Sequence, residues 1–185
     1  KIITLMKEYQ SFVPSIMKIV PKIFALISGV LFVTFFMDYV SGWILIGWFL
    51  LGLGIIGRFI KKTNKLASET SKIACTFQQY QKLIVKLEDI TFESDLLKEK
   101  RSNIIRDAEK TSTILRQFIK LLNGLDQRSN LLMGPLGNGF ALLDLHYSFQ
   151  IEQWFDKYSG STEKWFETIA FFDSYNCFGN FAFNH

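Results

Sequence analysis

The run IFALISGVLFVTFFM (23–37), the turn DYVSG (38–42) and the run WILIGWFLLGLGIIG (43–57), closed by RFI (58–60), decide how this chain folds. Each apolar run has 15 residues without a charge. Extending the first through Val40 and the second through Ile60 gives 18 residues apiece. At about 1.5 Å per residue that is about 27 Å, close to a hydrocarbon core of about 30 Å. Asp38 and Arg58 then stand near segment ends, where a charge reaches the interface and costs less than at the centre. The large apolar side chains between Ile23 and Met37, at roughly −0.3 to −0.6 kcal/mol each, contribute about −3 to −6 kcal/mol to insertion. The short loop Asp38–Gly42 makes the two segments antiparallel. The pattern predicts a transmembrane helical hairpin over 23–60, with the lipid bilayer as partner.

The flanks orient this hairpin. Tyr39 and Trp43 bracket the turn, as aromatics do at a membrane interface. Lys22 and Arg58, with Lys18, Lys61, Lys62 and Lys65, mark the open end. The positive-inside rule puts that end, and residues 61–185 after it, in the cytoplasm. The competing reading is a hairpin buried in a large soluble core.

The charge balance separates the two parts of the chain. Residues 1–62 hold seven Lys/Arg against two Asp/Glu, whereas residues 63–185 hold fourteen against fifteen. The overall charge of +4 is therefore a flank of the hairpin, and the polar part has no general basic bias for nucleic acid. Cys75 and Cys177 lie far apart and read as reduced thiols of a reducing compartment. The hairpin is too internal and too paired for a cleaved signal peptide. The chain starts at Lys1 and closes on the apolar Phe181-Ala182-Phe183, so it is expected to be a piece of a longer protein.

The rest reads as helix. Ile2, Leu5, Met6, Tyr9, Phe12, Val13, Ile16 and Ile19 give an amphipathic helix over 1–22, bent or broken at Pro14. Leu66, Ile73, Phe77, Tyr80, Ile84 and Leu87 form a heptad stripe that continues the second apolar segment and ends near Glu88–Thr91. Ser94 or Asp95 caps a helix carrying Leu97, Ile104, Ala108, Leu115, Phe118 and Leu122, with Asn123-Gly124 as its stop. A third helical region over 127–158 is interrupted at Met133–Gly139, where Gly134, Pro135, Gly137 and Gly139 are candidate hinge residues. Ser159-Gly160-Ser161 ends it, and Ser161 caps a last helix. No period-2 stretch of useful length occurs, so the fold class is all-α. The aromatics from Trp154 to Phe183 exceed what a small core needs and suggest docking onto a further domain.

Few residues suit chemistry. Gly52-Leu-Gly54-Ile-Ile-Gly57 matches a dinucleotide fingerprint, but it lies in an apolar segment and reads as close helix packing. Gly134 and Gly139 have the spacing of half a P-loop, with Phe140-Ala141 where Lys-Ser/Thr is required. His146 and His185 have no metal-ligand spacing to a second donor. No catalytic set and no cofactor or metal site is expected in these residues.

Leu121–Asn130, with Leu125, Asp126, Gln127, Arg128 and Asn130, then Leu143-Asp144-Leu145, Trp154, and Phe172-Asp173-Ser174 through to His185, resemble the MutS family. So does Leu87–Ser94, and the closest match is the bacterial branch with membrane helices near its N-terminus. The resemblance covers about residues 80–185. It implies the α-helical core and lever of a DNA mismatch repair-like ATPase, anchored in the bacterial inner membrane. It further implies that the helix around Asp173 leads into an ATPase domain with a P-loop, ATP and Mg, through which the protein forms a homodimer. The resemblance places that P-loop beyond these residues. The mismatch-reading Phe-x-Glu of the repair proteins is absent, so DNA is a partner by resemblance only. The alternative expectation is a membrane-tethered helical adaptor, followed by a membrane-embedded enzyme.

Overall fold

The computed structural model describes residues 2–105 and 110–184, and among them finds helices and no strand. The elements are α1 (Ile2–Glu8), α2 (Val20–Phe36), α3 (Gly42–Asp89), α4 (Asp95–Ser102), α5 (Thr111–Asp126), α6 (Met133–Ala141) and α7 (Leu143–Asn184), with 3-10 turns at Ser15–Lys18 and Gln127–Ser129. The all-α class is as expected. The chain divides into two compact units, each discontinuous in sequence. One comprises Lys1–Tyr9, Ile73–Ile119 and Trp154–His185; the other comprises Gln10–Lys72 and Lys120–Gln153.

The unit of Gln10–Lys72 and Lys120–Gln153 contains the hairpin. Pro21 sits in the first turn of α2, where its missing N–H costs nothing. α2 ends in a Schellman motif: Tyr39 N–H donates to the Thr34 carbonyl and Asp38 N–H to the Phe35 carbonyl. Asp38 takes the left-handed position, with φ 61°, where glycine is usual. α3 then starts at Gly42 and runs on without a break into the charged sequence, as the heptad stripe predicts. α3 is long and apolar enough to cross a membrane, and α2, with 17 residues, is apolar but shorter. Phe24 of α2 and Ile56 of α3 form a small core with Leu142, at the end of α6, and Leu145 of α7, and Trp48 stacks on Phe24 at 4.3 Å.

The helix expected over 1–22 divides. Ile2–Glu8 is α-helical, residues 9–14 leave the helix before Pro14, and α-helix resumes only at Val20 with the start of α2. Proline disfavours helical geometry in the residue before it. The freed groups are taken by the buried Glu152 of α7, whose carboxylate accepts from Ser11 Oγ (2.6 Å), Phe12 N (2.9 Å) and Val13 N (3.2 Å).

The other unit packs the later part of α3 against α5 and α7. Phe77 and Ile84 of α3, Leu115 and Phe118 of α5, and Trp154, Phe155 and Trp165 of α7 are buried there. Phe118 stacks on Trp154 at 3.9 Å, and Phe77 meets Phe118 edge-on at 4.9 Å. Polar groups finish the helix ends. Arg101 donates to the Leu87 and Glu88 carbonyls at the end of α3, and the Glu88 carboxylate accepts from Ser112 N and Oγ at the start of α5. Both contacts match charge to helix dipole.

Three boundaries differ from the sequence reading. The helix expected from Ser94 to Asn123-Gly124 is two, α4 and α5, and Ala108 lies outside the described residues. Gly124 does not stop α5; it lies within the helix, where a Cβ would run into the Tyr147 ring. Ser159-Gly160-Ser161 does not end a helix, because α7 passes straight through it. Trp154, Phe155, Trp165 and Ile169 are buried on either side of this stretch, and that packing outweighs a glycine penalty of about 1 kcal/mol. Ser161 therefore caps nothing.

Candidate functional site

The hairpin turns its apolar side chains outward. Leu26, Val30, Val33, Phe36 and Met37 of α2 and its end, and Ile44, Ile46, Leu50 and Leu51 of α3, are each half or more exposed. Only 11% of the most apolar stretch of α3 is buried. A core helix of a soluble protein would be mostly covered. Tyr39 and Trp43, at 81% and 79% exposure, stand at the turn, and the exposed Lys22 and Arg58 stand at the other end. The arrangement can bury a broad apolar surface only in something apolar outside the unit.

Against this hairpin lies α6. Gly139 meets α3 so closely that a Cβ on Gly52 would strike the Gly139 carbonyl, and one on Gly139 would strike the Phe49 ring. Phe140 packs on Phe32 (4.8 Å) and Phe49 (5.1 Å). The Ser28 hydroxyl donates to the Phe140 carbonyl at 2.6 Å and accepts from Trp48 Nε1 at 2.8 Å. The glycines of the GxGxxG and half-P-loop patterns thus meet as a small-residue contact of the kind that lets helix backbones approach.

The candidate hinge residues are all in α6. Pro135 lies in its first turn, where its lack of an N–H is tolerated, so the expected break at Pro135 is absent. Gly134 packs on the Arg128 carbonyl and Gly137 on the Leu143 side chain. The interruptions fall on either side of α6, at residues 130–132 before it and at Leu142, a left-handed residue (φ 51°), between α6 and α7. The amide groups of Gly134 and Leu136 donate within the helical segment, to Asn130 and Leu132, and form no phosphate cradle.

The motif residues at 125–130 and 143–145 come together. Leu125 is fully buried, whereas Asp126 and Gln127 are exposed. Arg128 Nη2 lies 3.1 Å from Asp144 Oδ2, a charge pair whose geometry is off the hydrogen-bond direction. Asn138 Oδ1 accepts from Asp144 N at 2.9 Å, and Asn130 Oδ1 accepts from Leu132 N and Met133 N at the start of α6. Burial raises the Asp144 carboxyl above its ordinary pKa, partly offset by Arg128 and Asn138. Asp144 and Asn138 were not singled out as site residues; the half-turn spacing of Asp144 from Leu142 gives no sign of the pairing.

Elsewhere, burial and then the Lys22 charge hold His146 below its ordinary pKa, and its ring pairs with Gln150 at 2.7 Å. Asp173 is exposed and borders a groove of about 450 Å³ lined by Leu83, Ile90, Phe92, Ile169 and Phe172. Among the described residues no three His, Cys, Asp or Glu gather as a metal site, and Cys75 and Cys177 are free and exposed. Comparison with protein-family models, curated proteins and solved structures finds no match to this chain.

Proposed function

We propose that this chain is the membrane-anchored helical lever of a MutS-like ATPase. The observation that carries the anchor is the outward apolar surface of α2 and α3, which water would leave unsatisfied at roughly 25 cal/mol per Å². In this reading the hairpin crosses the bacterial inner membrane, its basic open end is cytoplasmic, and so are the residues after Ile60. α7, unbroken from Leu143 to Asn184, supports the lever part, because a stiff element carries a rigid-body change over distance. The exposed Tyr175 and Phe178 near its end support packing against an ATPase domain that binds ATP and Mg and forms the homodimer. The MutS part rests on the resemblance of residues 80–185. No residue here is assigned to DNA, and none to catalysis.

The test is the parent coding region beyond His185. A G-x-x-x-x-G-K-[ST] within the next domain length, in a protein that hydrolyses ATP, is the expected result. A stop codon shortly after His185 would remove the motor and leave a membrane-tethered helical adaptor. The groove beside Asp173 gives that second reading an apolar surface for a partner.

A further inference from the structure

Residues 129–143, SNLLMGPLGNGFALL, contain no charged side chain. The charges that bracket this run, Arg128 and Asp144, pair with each other at 3.1 Å. An uncharged excursion of the backbone therefore leaves and returns at one point. Asn130 Oδ1 accepts from the Leu132 and Met133 amides and Asn138 Oδ1 from Asp144 N, so both asparagines are used within the excursion, and the exposed Ser129 stands at its very start beside Arg128. α6, at about 1.5 Å per residue, is far too short to cross a bilayer.

The excursion also has a depth. Leu142 and Leu145 pack with Phe24, near the start of α2. Phe140 reaches Ser28 and Phe32, about 12 to 18 Å along α2 from Val20. Phe140 therefore lies nearer the turn of the hairpin than Leu142 does. Its outer side is apolar: Leu131, Leu132, Met133 and Leu136 are 88%, 70%, 62% and 49% exposed.

We infer that residues 129–143 form a re-entrant membrane element, which dips into the bilayer beside α2 and α3 and places Leu131, Leu132, Met133 and Leu136 in lipid. The inference rests on the membrane reading of the hairpin. Lipid is the occupant because α6 packs on the outward-apolar hairpin through Gly139 and Phe140, and the run carries no charge. The Arg128–Asp144 pair closes the base of the excursion. Irregular backbone is tolerated at membrane depth where the protein satisfies its polar groups: the Leu132 and Met133 amides before α6 donate to Asn130 Oδ1, and the Leu142 amide after α6 donates to the Asn138 carbonyl.

The test uses the whole chain, with Cys75→Ser and Cys177→Ser, reconstituted into phosphatidylcholine–phosphatidylglycerol vesicles. A single cysteine at Leu132→Cys or Leu136→Cys, and separately at Leu50→Cys as the hairpin reference, is labelled with an environment-sensitive fluorophore. Quenching by doxyl-labelled lipid and by aqueous iodide is then compared. The expected result is strong doxyl quenching and at least several-fold protection from iodide at all three positions. Doxyl quenching at Leu50 alone, with iodide reaching Leu132 and Leu136, overturns the re-entrant element and leaves the hairpin reading standing. Labels at 132 and 136 shielded from both quenchers show a protein partner on this face and also overturn it. Loss of doxyl quenching at Leu50 as well removes the membrane reading together with the inference.

Discussion

Asp38 and Asp144 show how single residues hold the unit that contains the hairpin. Asp38 accepts a left-handed backbone to complete the cap of α2, and its carboxylate is exposed. Asp tolerates that geometry better than most residues, but glycine has no Cβ to strain. Asp38→Gly should therefore raise stability by about 0.5 kcal/mol, read as a higher unfolding midpoint in detergent micelles. Asp144 has the opposite role. Its removal in Asp144→Ala strands a mostly buried guanidinium, which should cost about 3 kcal/mol, while Arg128→Met with Asp144→Leu should recover most of it. The raised pKa of Asp144 gives a sign to the pH dependence. Between its ordinary value of 3.8 and the raised one, the folded chain holds a proton that the unfolded chain has released. Stability from this group is present below 3.8 and is lost as pH rises through the folded value, and Asp144→Asn should flatten that segment of the profile.

Among the elements, α7 and the α3–α6 contact make contrasting demands on glycine. Nothing lies within 4 Å of a Cβ on Gly160, so Gly160→Ala should stabilise α7 by about 0.5–1 kcal/mol. A Cβ on Gly52 meets the Gly139 backbone, so Gly52→Ala should cost about 1–3 kcal/mol; thermal melts of both variants check the pair. The stripe Leu66, Ile73, Phe77, Ile84 could be read from spacing alone, because each buried apolar residue marks the same helix face. Thr63, Thr70 and Glu88 share that burial and were missed, since polar residues carry no hydrophobic signal. Thr63 and Thr70 satisfy their hydroxyls on their own helix, at Phe59 and Leu66, and Glu88 caps a distant one. The helix over 159–161 was misread for a related reason: local turn chemistry at Ser-Gly-Ser is weaker than the packing of the tryptophans around it. Glycine spacing in 134–139 pointed to a special backbone, but only the three-dimensional contact tells close packing from a break.

For the molecule as a whole, the apolar surface of α2 and α3 is the fact with the largest consequence. Two uncharged runs were legible in sequence, and the outward direction of their side chains is the part that sequence could not give. The proposed lever and ATPase reading adds a direction of force to the proposed anchor without changing it. The most direct measurement is flotation of the reconstituted chain with lipid vesicles on a density gradient, repeated in high salt and alkaline carbonate. The account predicts that the chain rises with the vesicles under every condition, because its attachment is apolar. A chain that is monodisperse in water without detergent and stays at the bottom of the gradient would contradict it.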